Sequence, residues 1–81
     1  MSYTKKELDE IWAKGNLHSG SGDNATCFDD YGNEIRRGSH GKMTNKGWEV
    51  DHILPKANGG SDDISNLRPL QWEANRVKAD K

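Results

Sequence analysis

An aspartate and a histidine stand side by side in "WEVDHILPKANGG", and asparagines follow at Asn66 and Asn75. These residue types suit phosphodiester hydrolysis. That reaction needs charge stabilisation on the phosphate and the leaving oxygen, which a divalent cation supplies. A hard cation such as Mg²⁺ takes oxygen ligands and keeps several waters, so one or two protein oxygens suffice. Asp51 offers a carboxylate and Asn75 an amide oxygen. The attacking water must lose a proton, and a neutral imidazole titrates near working pH. His52 could take that proton, and Asn66 carries a carbonyl able to accept from its ring and fix one tautomer. The competing reading is a surface Asp–His pair with two asparagines in a turn and a helix.

The elements that must position these groups follow from local patterns. Gly47 to Ile53 predicts a strand, with Trp48, Val50 and Ile53 as β-favouring residues, and Pro55 ends ladder pairing. Lys56 to Ser65 is a long loop with flexible Gly59 and Gly60, and Asn66 to Leu70 a short extended piece that Pro69 confines to an edge. Gln71 to Ala79 predicts a helix, with Leu70, Ala74 and Val77 on one face and Trp72 flanking. Asn75 is mildly disfavoured inside a helix, which hints at a role beyond structure. Adjacent strand residues face opposite ways. Asp51 and His52 therefore share a site only if the chain leaves regular strand geometry before Pro55.

Upstream, Thr4 to Lys14 predicts a helix opened by a Thr4–Glu7 capping box, with Leu8, Ile11 and Trp12 on one face. Leu17 to Asn24 reads as a loop, and His18 within it as solvated. Ala25 to Phe28 and Glu34 to Arg36 read as short strands around the turn "DDYGN". Arg37 to Lys46 is a second polar loop, in which Arg37, Lys42 and His40 are candidates for phosphate contact beside Arg36. They are equally ordinary loop residues.

The run "EVDHILPKANGGSDDISNLRPLQWEANRVK" resembles the motif of the HNH endonucleases, in the ββα-metal (His-Me finger) superfamily. The resemblance lies in an Asp-His pair before I-x-P, a Gly-Gly loop, N-L-x-x-L, and a helix carrying a final His or Asn. It spans Gly47 to Asp80, with His52, Asn66 and Asn75 as the triplet of the HNN variant. It implies an α+β fold, with two short antiparallel strands and a helix around one metal, plus an added N-terminal helix and a short upstream hairpin. The whole of 1–81 would be one nuclease domain, with 47–81 the finger and 1–46 its elaboration. His52 would be the general base, Asn66 its orienting partner, and Asp51 and Asn75 the metal ligands. The substrate would be DNA, cut to 5′-phosphate and 3′-hydroxyl ends. Many relatives carry zinc-binding CxxC pairs where this chain has Gln71 and Ala74, so no structural zinc is expected. Asn75 in place of His is a harder ligand and favours Mg²⁺ or Mn²⁺. Arg76, next to a proposed ligand, is a candidate phosphate contact, while Lys78 and Lys81 suit the C-terminal end of a helix dipole.

Composition narrows the rest. With 81 residues, 31% of them apolar and 31% charged, the core must be thin, and Trp12, Trp48 and Trp72 must supply much of it. The single cysteine, Cys27, forms no internal disulfide and no CxxC zinc site, which suggests a reducing, intracellular setting; the resemblance implies a cytoplasmic protein encoded by a bacterium or phage. The polar N-terminus is not a signal peptide, and no apolar run suits a membrane span. A net charge of −1 argues against coating nucleic acid by charge alone. So small a surface implies weak sequence specificity, unless a homodimer or a phage or host protein partner adds to it. Two rival functions remain: a nucleic-acid-binding module that no longer cuts, and a ribonuclease or toxin nuclease using the same finger.

Overall fold

The computed structural model of the chain describes residues 3–79. Helix α1 (Lys5–Trp12) begins where the capping box places it. The Thr4 hydroxyl accepts the Glu7 N–H at 3.1 Å, and the Glu7 carboxylate accepts the Thr4 N–H at 2.9 Å. The helix ends earlier than Lys14 and buries Ile11 and Trp12. Three short antiparallel strands follow in the order β1 (Asn16–Ser19), β2 (Thr26–Phe28), β3 (Glu34–Arg36). The expected hairpin is β2–β3, paired Thr26 to Arg36 and Phe28 to Glu34.

Strand β1 replaces part of the expected loop. All four of its residues are exposed, so no apolar alternation marks it, and its register with β2 is irregular. A side-chain clasp holds it instead, with Asn16 Nδ2 donating to the Phe28 carbonyl and to Asp30, both at 3.1 Å.

The second sheet is the ribbon β4 (Trp48–His52) and β5 (Leu67–Gln71), paired antiparallel from Trp48–Gln71 to His52–Leu67. A two-stranded ribbon leaves each strand a free edge, so Pro69, opposite Val50, costs no ladder bond. Helix α2 (Trp72–Ala79) follows directly. Its expected apolar face is not realised: Leu70 lies in β5, and Val77 is 59% exposed. The helix meets β4 through polar side chains, Asn75 and Lys78 among them.

The connection between β4 and β5 is held closed rather than flexible. Gly59 adopts φ +93°, a left-handed turn, and a Cβ on Gly60 would collide with the Leu54 carbonyl oxygen.

One apolar cluster joins both parts of the chain: Ile11, Trp12, Ala25, Cys27, Ile35, Trp48 and Leu67. The Trp12 and Trp48 rings lie 5.3 Å apart. Trp72 is only half-buried, its indole N–H donating to the Thr44 carbonyl at 2.8 Å. Cys27 is sealed in this cluster, and burial, with the nearby Asp29 charge, pushes its thiol up to about 11.

A buried carboxylate ties the two sheets together. Asp29, 3% exposed in the β2–β3 turn, accepts the N–H groups of Tyr31 (2.9 Å) and Asn33 (2.8 Å). Its other oxygen accepts the Gln71 N–H at 2.9 Å, at the junction of β5 and α2.

Candidate active site

Alternation along β4 turns Trp48, Val50 and His52 to one side and Glu49 and Asp51 to the other. The strand stays regular through His52, contrary to the expected departure. Asp51, His52 and Asn75 nevertheless line one cleft, together with Val50, Lys56 and Lys78. Asp51 and His52 meet at one side-chain ammonium, that of Lys78, through the His52 main-chain carbonyl rather than its ring. The Lys78 ammonium lies 2.8 and 3.0 Å from the two Asp51 carboxylate oxygens and 2.7 Å from the His52 carbonyl oxygen.

Asp51 is 5% exposed and also accepts Arg68 Nε at 2.8 Å from the facing ladder position. Burial opposes the Arg68 charge, but its bonds to Asp51 and Asp30 outweigh that and raise its pKa. Asn75 donates its amide N–H to Glu49 at 3.0 Å. The amide nitrogen is thereby committed, and the oxygen is the end available to a cation. Asp51 carboxylate, His52 carbonyl and Asn75 amide form a set of hard oxygen donors. That set fits Mg²⁺ or Mn²⁺, and an ammonium already stands among two of its members. Among the described residues no three His, Cys, Asp or Glu side chains gather as a metal cluster. A cation in this cleft would depend on one carboxylate, with amide and main-chain oxygens along the same lining.

The ring of His52 has a partner that sequence reasoning missed. Its Nε2 lies 2.7 Å from Asp62 Oδ1, and Lys56 donates to the other Asp62 oxygen at 2.9 Å. The His52 and Lys56 bonds hold the Asp62 carboxyl below the usual carboxylate range. Asn66 does not contact the ring. Its Oδ1 accepts the Leu54 N–H at 2.9 Å, and its Nδ2 donates to the carbonyls of Leu54 (3.0 Å) and Ser61 (2.8 Å). Both ends of the amide are used in closing the loop. The residue after Ser61 is Asp62, so this closure brings the carboxylate to His52. Asn66 thus contributes to the site through the loop it fastens.

The basic candidates divide. Arg37 is engaged by Asp9 at 2.9 Å and lies over the Trp48 ring at 5.8 Å, with 15% of its side chain exposed. It pins α1 to the core, so the expected phosphate contact does not suit it. Arg36 donates to Asn24 Oδ1. His40 packs 4.7 Å from Trp48, and burial, then the Arg37 charge, lowers its pKa. Lys42 is exposed. Arg76 reaches Glu49 at 3.3 Å and remains half exposed over Trp72. Lys81 lies outside the described residues.

Lys78 was readable only as a helix-dipole cation. The signal for more was its place three residues after Asn75, on the same helix face. Arg68 and Asp62 gave no such signal, because strand register and loop closure bring them in.

No helix of the described residues is long and apolar enough to cross a membrane. No solved structure matches the chain. A curated relative, "Probable mobile endonuclease C" of Enterobacteria phage T4, is 40% identical over 42 residues, which is 52% of this chain and 20% of that protein. The chain thus spans about one fifth of that relative's length. The model of the HNH endonuclease family matches residues 37–81, more than half of the 81-residue chain and inclusive of Asp51, His52, Asp62, Asn66, Asn75 and Lys78. With that match laid over this cleft, the chain belongs to the HNH endonuclease family.

Proposed function

We propose that this domain is a DNA endonuclease dependent on a divalent cation, Mg²⁺ or Mn²⁺. The observation that carries the reading is the shared cleft of Asp51, His52 and Asn75, with a cationic group already seated on the Asp51 and His52 oxygens. Family membership and the name of the phage relative support a nuclease.

With Asp62 ionised, the ring nitrogen facing it carries the hydrogen and donates. The other nitrogen, Nδ1, then holds a lone pair and can take the proton of an attacking water. The water oxygen bonds to phosphorus as the bond from phosphorus to the 3′ oxygen breaks, and the departing 3′ oxygen takes a proton from solvent. The ends are then a 5′-phosphate and a 3′-hydroxyl. Asp51, Asn75 and the His52 carbonyl would hold the cation. When bound, it supplies positive charge at the phosphate and at the leaving oxygen. Asn66 and Asp62 keep the imidazole in place throughout. Of the candidates Arg36, Arg37, Lys42 and Arg76, the exposed Lys42 and Arg76 are the ones open to the DNA backbone, which gives salt-sensitive binding with little base reading. DNA is the substrate that membership of the HNH endonuclease family supports.

The test is relaxation of supercoiled plasmid with Mg²⁺ or Mn²⁺, with and without EDTA. The parent chain nicks, EDTA stops it, and His52→Ala loses cleavage while retaining DNA binding. Absence of nicking by clean parent protein with either metal would reject the reading in favour of a silent binding module. Faster cleavage of structured RNA than of plasmid would reassign the substrate.

A further inference from the structure

We propose that Lys78 is an internal competitor for the cation site and sets the affinity of the domain for its metal. This rests on the metal-site reading above. The ammonium of Lys78 makes three short contacts, at 2.8 and 3.0 Å to the Asp51 carboxylate and 2.7 Å to the His52 carbonyl. These are lengths of charge-assisted hydrogen bonds. The Asp51 carboxylate thereby meets both of its cationic neighbours, Arg68 and Lys78, at once. Arg68 is shared with Asp30, so the Lys78 ammonium is the cation that Asp51 does not share with a second carboxylate.

Mg²⁺ takes oxygen ligands at about 2.0–2.1 Å. A cation on the Asp51 oxygens would sit where the ammonium now lies, and the two charges would repel. Metal entry therefore requires Lys78 to withdraw. Its place makes withdrawal feasible: Lys78 stands in the last turn of α2 on a flexible stem, whereas Arg68 is fixed opposite Asp51 in the ladder. The exchange is one cation for another on the same oxygens. Arg68 keeps Asp51 paired in either case.

The role predicts a change opposite to that of an ordinary supporting residue. Removing a residue that organises ligands weakens metal binding, whereas removing a competitor strengthens it. The experiment is Mn²⁺ binding to the full chain, followed by electron paramagnetic resonance of free Mn²⁺ or by calorimetry, without DNA. Lys78→Met keeps the stem and deletes the charge, and Lys78→Gln is a second uncharged variant. Circular dichroism checks that each is folded. Both variants bind Mn²⁺ about tenfold tighter than the parent, equivalent to ~1.4 kcal/mol. Asp51→Asn, in the parent and in Lys78→Met, binds far more weakly. Equal or weaker binding by the folded Lys78 variants, while the parent binds through Asp51, overturns the competitor and leaves the metal site standing. Binding that is indifferent to Asp51, or absent in the parent and both Lys78 variants, overturns the metal site and this inference with it.

Discussion

Replacing Asp29 by alanine should cost the domain much of its stability and loosen the start of the helix that carries Asn75 and Lys78. The carboxylate accepts three main-chain N–H groups, from Tyr31, Asn33 and Gln71. Tyr31 is exposed and Asn33 half-buried, so water can replace the carboxylate there, at a loss of about 0.5–1 kcal/mol each. The Gln71 bond is buried, and leaving that N–H unpaired costs about 1–3 kcal/mol. The total is ~3 kcal/mol, set against about 4–12 kcal/mol for a domain of this length. At roughly 4–8 °C per kcal/mol the melting temperature should fall by ~12–24 °C. Asp29→Asn keeps one acceptor oxygen and should recover about half of that loss. Thermal unfolding by calorimetry or far-ultraviolet circular dichroism measures both. A fall of less than ~4 °C for Asp29→Ala would mean that the turn and the β5–α2 junction are not fastened through this side chain.

Two further outcomes follow from the site and its surroundings. Asp62→Ala should lower the turnover of plasmid nicking about tenfold with little change in KM, as loss of an orienting partner does; unchanged turnover would show that the His52 ring is held some other way. His40 has a pKa held below its ordinary 6.5, first by burial and then by the Arg37 charge. The neutral ring is therefore the form the fold favours, so its contribution is whole above 6.5 and is lost as pH falls from there through the depressed folded value. The melting temperature should drop between pH 7.5 and 5.5, less so in His40→Gln, and an equal drop in both proteins would refute the assignment.

Local signals in the sequence carried much of this architecture. The Thr4–Glu7 box marked the start of α1, and the β-favouring Trp48 and Val50 marked β4. Strand β1 was hidden because all of Asn16–Ser19 faces solvent and alternates nothing. The apolar face assigned to α2 failed at Val77, because a helix that meets its sheet through Asn75 and Lys78 needs little apolar cover. In the site, residue types and spacing singled out Asp51, His52, Asn66 and Asn75. Spacing cannot say where an amide spends its hydrogen bonds, so Asn66 was expected at the ring and lies on the loop backbone. Asp62 and Arg68 come into place through contacts distant in sequence, which no local period encodes. Arg37 looked like a surface cation until its partners, Asp9 and Trp48, were in view.

The sealed position of Cys27 makes the molecule its own gauge of opening. A maleimide or iodoacetamide meets no accessible sulfur while the fold is closed. Each alkylated chain therefore records one excursion to an open form. Labelling rates, followed by mass, would count those excursions under native conditions and compare variants without a denaturant.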